Sequence, residues 1–138
     1  MLIQIAPDLW HMERGFKAAG LPITSRMTVV RFQDGRLWLH SPVRFNDTVA
    51  EQLRSLGRVA WIVAPNRAHH MFAKHALRMF PEARLYGAPG LAAKRPDLEG
   101  LVELGDSVLS EWQHELDQVV MRGMPFVNEV VFFHKASN

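Results

Sequence analysis

Five consecutive apolar residues, Val59-Ala60-Trp61-Ile62-Val63, lie between two segments of helical periodicity, and no other feature restricts the fold as much. A run this short and unbroken is expected of a strand buried on both faces, which requires a covering layer on each side of its sheet. Before it, Val49, Leu53 and Leu56 repeat at helical spacing, so a helix is expected over Asp47 to Leu56. Thr48 with Glu51 three residues later reads as its capping box, and Gly57 as its stop. After it, Met71, Phe72, His75, Ala76, Met79 and Phe80 share one face of a second helix, His69 to Phe80, which ends before Pro81. The loop from Ala64 to Ala68 leaves the carboxyl end of the buried strand, where open α/β sheets gather their ligands.

Strands dominate the remaining pattern. Met27 to Phe32 and Leu37 to His40 flank Gln33-Asp34-Gly35-Arg36, and Asp-Gly supplies the positive φ of a tight hairpin turn. Leu2 to Ala6 and Leu9 to Met12 form an opening hairpin about Pro7-Asp8, and Arg14 to Arg26 reads as loop. Ala83 to Tyr86 is expected as a strand and Leu91 to Lys94 as a short helix. Strands are also expected at Leu101 to Leu104, Val108 to Trp112, Leu116 to Met121 and Glu129 to His134.

With 138 residues and 48% hydrophobic content, the chain supports one core and one domain. Lys plus Arg 16 against Asp plus Glu 14 leaves +2, and the cations are scattered, so no nucleic-acid partner is expected. The absence of cysteine removes disulfides, thiolate metal sites and cysteine nucleophiles, leaving histidine and carboxylates as metal ligands. No apolar run approaches the roughly 18 residues of a membrane span, and no leader pattern opens the chain. A cytoplasmic protein with no membrane partner is the expectation. Val130-Val131-Phe132-Phe133 would make a bare edge strand, so either the chain continues past Asn138 or a homodimer forms through this strand.

The order of hairpins, helix, buried strand, loop, helix and strand over Ile3 to Tyr86 resembles the first half of metallo-β-lactamase-like hydrolases. Leu-His-Ser-Pro at 39–42, Val-Ala-Pro-Asn at 63–66 and His-His-Met-Phe at 69–72 look more specifically like an uncharacterised branch known only as a domain of unknown function. The resemblance implies an α/β (α+β) fold: the N-terminal half of a metallo-β-lactamase-like αββα sandwich, with a mixed sheet and flanking helices. The family's metal loop reads His-x-His-x-Asp-His. Matched residue by residue, Pro65 and Arg67 stand where its first two histidines would be, His69 at the aspartate and His70 at the last histidine. His40 takes the place of the aspartate that closes the earlier strand. Arg122 to Phe126 lacks the histidine of the family's Pro-Gly-His-Thr segment. The resemblance therefore implies no standard di-zinc centre.

Two functional readings stay open. In one, His40, His69 and His70 form a rebuilt site for one zinc or other transition metal ion, whose bound water attacks an ester, amide or phosphoester in an unknown substrate. Asn66 and Arg67 would then present an amide and a guanidinium to the substrate. In the other, the chain is a catalytically inactive scaffold that binds a small anion or a protein partner through the same cleft. Each residue also has a plainer use: His69 and His70 at a helix start, Asn66 on loop backbone, His75 in the core bonded to backbone, and the four tryptophans as packing. His11, His114 and His134 have no motif around them, and Gly87 to Gly90 is a turn lacking the Lys-Ser/Thr of a phosphate loop.

Overall fold

The computed structural model describes residues 1–66, 70–121 and 129–137. Seven strands form one sheet in sequence order: β1 (Ile3–Ala6), β2 (Leu9–Ala18), β3 (Leu21–Arg31), β4 (Arg36–His40), β5 (Arg58–Ala64), β6 (Arg84–Gly87) and β7 (Val102–Glu103). The first four pair antiparallel, and β4 to β7 pair parallel. This is the expected mixed sheet. The parallel half needs crossovers, supplied in turn by α1 (Asp47–Leu56), α2 (Ala73–Met79) and α3 (Leu91–Lys94). Two further strands, β8 (Leu116–Val120) and β9 (Val130–His134), form a separate antiparallel pair.

The two faces of the large sheet carry two cores. On one, Met12, Val29, Leu39 and Ile62 pack with Val49 and Leu53 of α1 and Ala73 and Ala76 of α2. On the other, Trp38, Trp61, Val63 and Tyr86 meet Trp112, Leu116, Val120 and Val130 beneath the small sheet. The alternation of β4 explains this division, because Leu37 and Leu39 face the helices while Trp38 and His40 face β9. Trp112 fits edge-on against Tyr86 at 5.0 Å and against Trp38 and Trp61 at 6.0 Å, so three of the tryptophans share one aromatic cluster.

Several boundaries differ from the sequence reading. Arg14 to Arg26 is not a loop: β2 runs on to Ala18 and pairs in register with β3 from Leu21, around a turn in which Ala19 and Gly20 both have positive φ (50° and 77°). Most of this ribbon is exposed on both faces, so ladder hydrogen bonds hold it without the apolar alternation that announces a strand. Thr48 is not the cap of α1; the Asn46 side chain accepts from Val49 N at 3.1 Å. The second helix begins at Ala73 and ends at Met79, and Met71 is exposed in the preceding turn. Val108 to Trp112 is not a strand, since Trp112 N and Gln113 N both turn back to the Leu109 carbonyl, at 3.1 and 2.9 Å. Trp112 enters the core from this turn. Among the described residues no helix is long and apolar enough to cross a membrane.

Candidate functional site

β4 and β5 run parallel and adjacent, so the segments that follow them emerge side by side at one end of the sheet. His40 closes β4 facing the small sheet, stacked on Trp38 (5.4 Å between ring centres, 21° between planes) and edge-on to Phe132 at 5.6 Å. Register places it in a row with Thr28 on β3 and His11 on β2. It also lines a cavity of about 290 Å³ with Thr28, Trp38, Glu129 and His134. Among the described residues the buried indole N–H of Trp38 has no hydrogen-bond partner, nor has His11 Nδ1. Directly after His40 the backbone turns sharply: buried Ser41 has φ 55° and donates its N–H to Val63 O at 2.8 Å. A non-glycine residue held in that region is a strained position of the kind that accompanies sites.

The loop after β5 is tied down at its start. Val130 N donates to Pro65 O at 2.7 Å, and the buried Asn66 amide donates to the Glu129 carboxylate. Asn66 therefore joins the loop to β9 by its side chain. Arg67 and His69 lie outside the described residues.

His70 begins the turn before α2, and its surroundings are cationic rather than metal-like. Arg95 Nη1 lies 2.8 Å from His70 Nδ1 and 3.3 Å from the His70 carbonyl. The same guanidinium is gripped by Asp97 through Nε at 2.8 Å and Nη2 at 2.9 Å, with Lys74 3.4 Å from the carboxylate. Arg95 thereby holds the Asp97 carboxyl far below the usual carboxylate range, and Asp97 raises the Arg95 pKa. Burial, and then the charges of Lys94 and Arg95, push the His70 pKa down. A guanidinium only donates, so His70 Nδ1 is the acceptor, and in the neutral ring the proton sits on Nε2. His70 presents an N–H, not a lone pair.

The described residues do not fit the di-zinc centre of the family that the sequence resembles. Pro65 offers only a carbonyl already engaged by Val130, and His70 would have to surrender its bond to Arg95 before either nitrogen had its usual ligating geometry. Among the described residues no three histidine or carboxylate side chains are grouped to hold a metal ion. His40 and His70 have different partners: the first an aromatic bed, the second Arg95.

Sequence reasoning missed Arg95, Asp97 and Glu129. Arg95-Pro96-Asp97 is visible as a local pair, but its contact with His70 spans 25 residues, and that between Asn66 and Glu129 spans 63. His75 fulfils its plainer reading, with Nε2 2.9 Å from the Phe45 carbonyl and its ring edge-on to Phe45. A second missed group, Glu111, accepts from Trp61 Nε1 at 2.8 Å and Tyr86 OH at 2.6 Å, and fastens the 105–115 segment to the large sheet.

Solved structures with this fold are numerous. The DIM-1 metallo-β-lactamase exposed to ceftazidime superposes with a TM-score of 0.75 at 13% identity, covering 99% of this chain and 66% of that one. A metallo-β-lactamase from Pontibacter korlensis gives 0.73 at 10% identity, covering 99% and 67%. The metal-soaked Flv1 flavodiiron core from Synechocystis sp. PCC6803 gives 0.69 at 13% identity, covering 98% and 39%. The chain thus spans about two thirds of the lactamases' length, and the likeness establishes a metallo-β-lactamase-like fold. No curated protein sequence matches the chain. The sequence profile of a domain of unknown function, DUF4336, matches residues 7–93, well over half of the chain, and the chain belongs to that family.

Proposed function

We propose that this domain binds a small oxyanion at the carboxyl ends of β4 and β5, with His70 as a neutral hydrogen-bond donor, in place of two-metal hydrolysis. The observation that carries the reading is Arg95 Nη1 at 2.8 Å from His70 Nδ1. That contact selects the Nε2–H tautomer, and the lowered His70 pKa keeps the ring neutral near pH 7. Metal ligation requires an unprotonated ring nitrogen, whereas an N–H in a cationic setting suits a carboxylate or phosphate oxygen. Arg67, three residues before His70 in the sequence, adds a second cation to the same loop.

The test is histidine nitrogen NMR on untagged protein, with metal analysis of the same sample. His70 is expected to show Nε2–H at pH 7 and to shift on addition of inorganic phosphate, and Arg95→Ala is expected to redistribute the tautomers. About one equivalent of transition metal retained through purification, with His70 Nε2 unprotonated, would overturn the proposal in favour of a metal site built from His40, His69 and His70.

A further inference from the structure

The long β2–β3 ribbon leans over the turns before α1 and α2, and Phe16 meets Phe72 edge-on with ring centres 5.5 Å apart. Between them lies a cleft of about 570 Å³, within the roughly 300–1,000 Å³ typical of small-molecule sites. Neither His70 nor Arg95 is among the described residues that line it, so it stands apart from the loop site above.

Its lining combines two chemistries. Arg14 and Lys17 come from the ribbon and Arg44 from the segment before α1. Among the described residues none of the three makes an ion pair, and no carboxylate lines the cleft. Five other arginines are matched one by one, Arg26 with Glu13, Arg31 with Asp8, Arg36 with Asp34, Arg54 with Glu51 and Arg95 with Asp97, whereas Arg58 and Arg78, which like the cleft's cations have no ion pair among the described residues, are not part of its lining. Glu13, the acid nearest in sequence to Arg14, is committed to Arg26 and held below its ordinary pKa by that contact. Asp47, beside the cleft in sequence, belongs to the first turn of α1, where it complements the helix dipole. Arg14, Lys17 and Arg44 all line one concavity and so concentrate like charge there, and an anion bound in it relieves the repulsion. Asn46 apart, the side chains of the remaining wall are apolar, chiefly Phe16, Phe72 and Met71, the last 48% exposed at the surface.

We propose that this cleft binds a small amphipathic oxyanion, its carboxylate or phosphate head among Arg14, Lys17 and Arg44 and its apolar body against Phe16, Met71 and Phe72. Head and tail contribute separately, so neither inorganic phosphate nor a neutral alcohol of the same tail substitutes for the whole ligand.

Isothermal titration calorimetry on the full chain with octanoate, octyl phosphate, octanol and inorganic phosphate tests this. Octanoate or octyl phosphate is expected to bind at least about tenfold more tightly than octanol or inorganic phosphate, and to weaken as salt rises. Which of the two binds better identifies the head group. The double variant Arg14→Gln, Arg44→Gln is expected to weaken binding about tenfold or more, and Phe16→Ser to weaken the amphiphile without changing its salt dependence. Unchanged unfolding midpoints certify that both variants fold. Equal affinity for octanol and octanoate, an unaffected double variant, or no binding of either amphiphile would overturn the proposal. If the amphiphiles fail while inorganic phosphate still shifts His70, the cleft is refuted and the loop reading stands. Amphiphile binding with His70 unmoved by phosphate refutes the loop reading and leaves the cleft standing.

Discussion

Replacing Glu111 by Ala removes one carboxylate that answers two buried donors. Trp61 is 1% exposed and Tyr86 3% exposed, and both give their polar hydrogens to Glu111, at 2.8 and 2.6 Å. Burial opposes the charge of Glu111, yet the bonds from Tyr86 and Trp61, with Arg84 and Arg36 nearby, outweigh it and hold the pKa below the ordinary value. A buried donor left without a partner costs about 1–3 kcal/mol, so two orphans set a ceiling of about 6. The Glu111 side chain is 34% exposed, so water enters the vacated space and partly satisfies the donors, which brings the expected loss to about 2–3 kcal/mol. Glu111→Gln can accept from Trp61 while donating to the Tyr86 hydroxyl, and its loss should be about 1 kcal/mol. Urea unfolding followed by tryptophan fluorescence measures both, and a cycle with Tyr86→Phe isolates the coupling, expected at about 1 kcal/mol. A Glu111→Ala protein within about 0.5 kcal/mol of the parent would refute the claim that this carboxylate fastens the 105–115 segment to the sheet.

Gly57→Ala should destabilise by about 1–3 kcal/mol or more in the same assay, because its new Cβ would stand 2.0 Å from the Gly35 carbonyl oxygen and backbone must move. Gly57 has an extended φ of 164°, so the cost is steric, and a variant of parental stability would disprove the close approach. Acid should also weaken the fold in a defined window. His70 and His134 both have pKa values lowered chiefly by burial, so the unfolded chain binds their protons first, and stability falls as pH drops below the unfolded value near 6.5 towards the folded ones. Urea midpoints between pH 8 and 5 check this, and replacing both by Gln should flatten that part of the profile.

Local pattern carried the architecture but not the site. The Val59 to Val63 run, the spacing of Val49 and Leu53, and Asp34-Gly35 each act within a few residues, where side-chain period and backbone φ decide the outcome, and β5, α1 and the β3–β4 hairpin stand where those signals put them. The inner ends of β2 and β3 were legible, but their outer part, Arg14 to Arg26, was not, because it is mostly exposed and owes its form to ladder bonds between residues such as Arg14 and Ser25, which no apolar alternation reports. Asn46 displaced Thr48 as cap by one choice of local hydrogen bond among neighbours equally able to make it. His70 was legible as a candidate but not as a chemical species. Its tautomer depends on Arg95, and Arg95 depends on Asp97 for its orientation. The cleft, likewise, exists only because the ribbon folds back over the turns before α1 and α2, bringing Arg14 near Arg44 and Phe16 against Phe72. The layers are written in the order of residues, because burial of an apolar period is a local demand. Which charges are paired and which nitrogen carries a proton follow only from the folded arrangement, since Coulomb and hydrogen-bond partners are set by distance in space rather than separation along the chain.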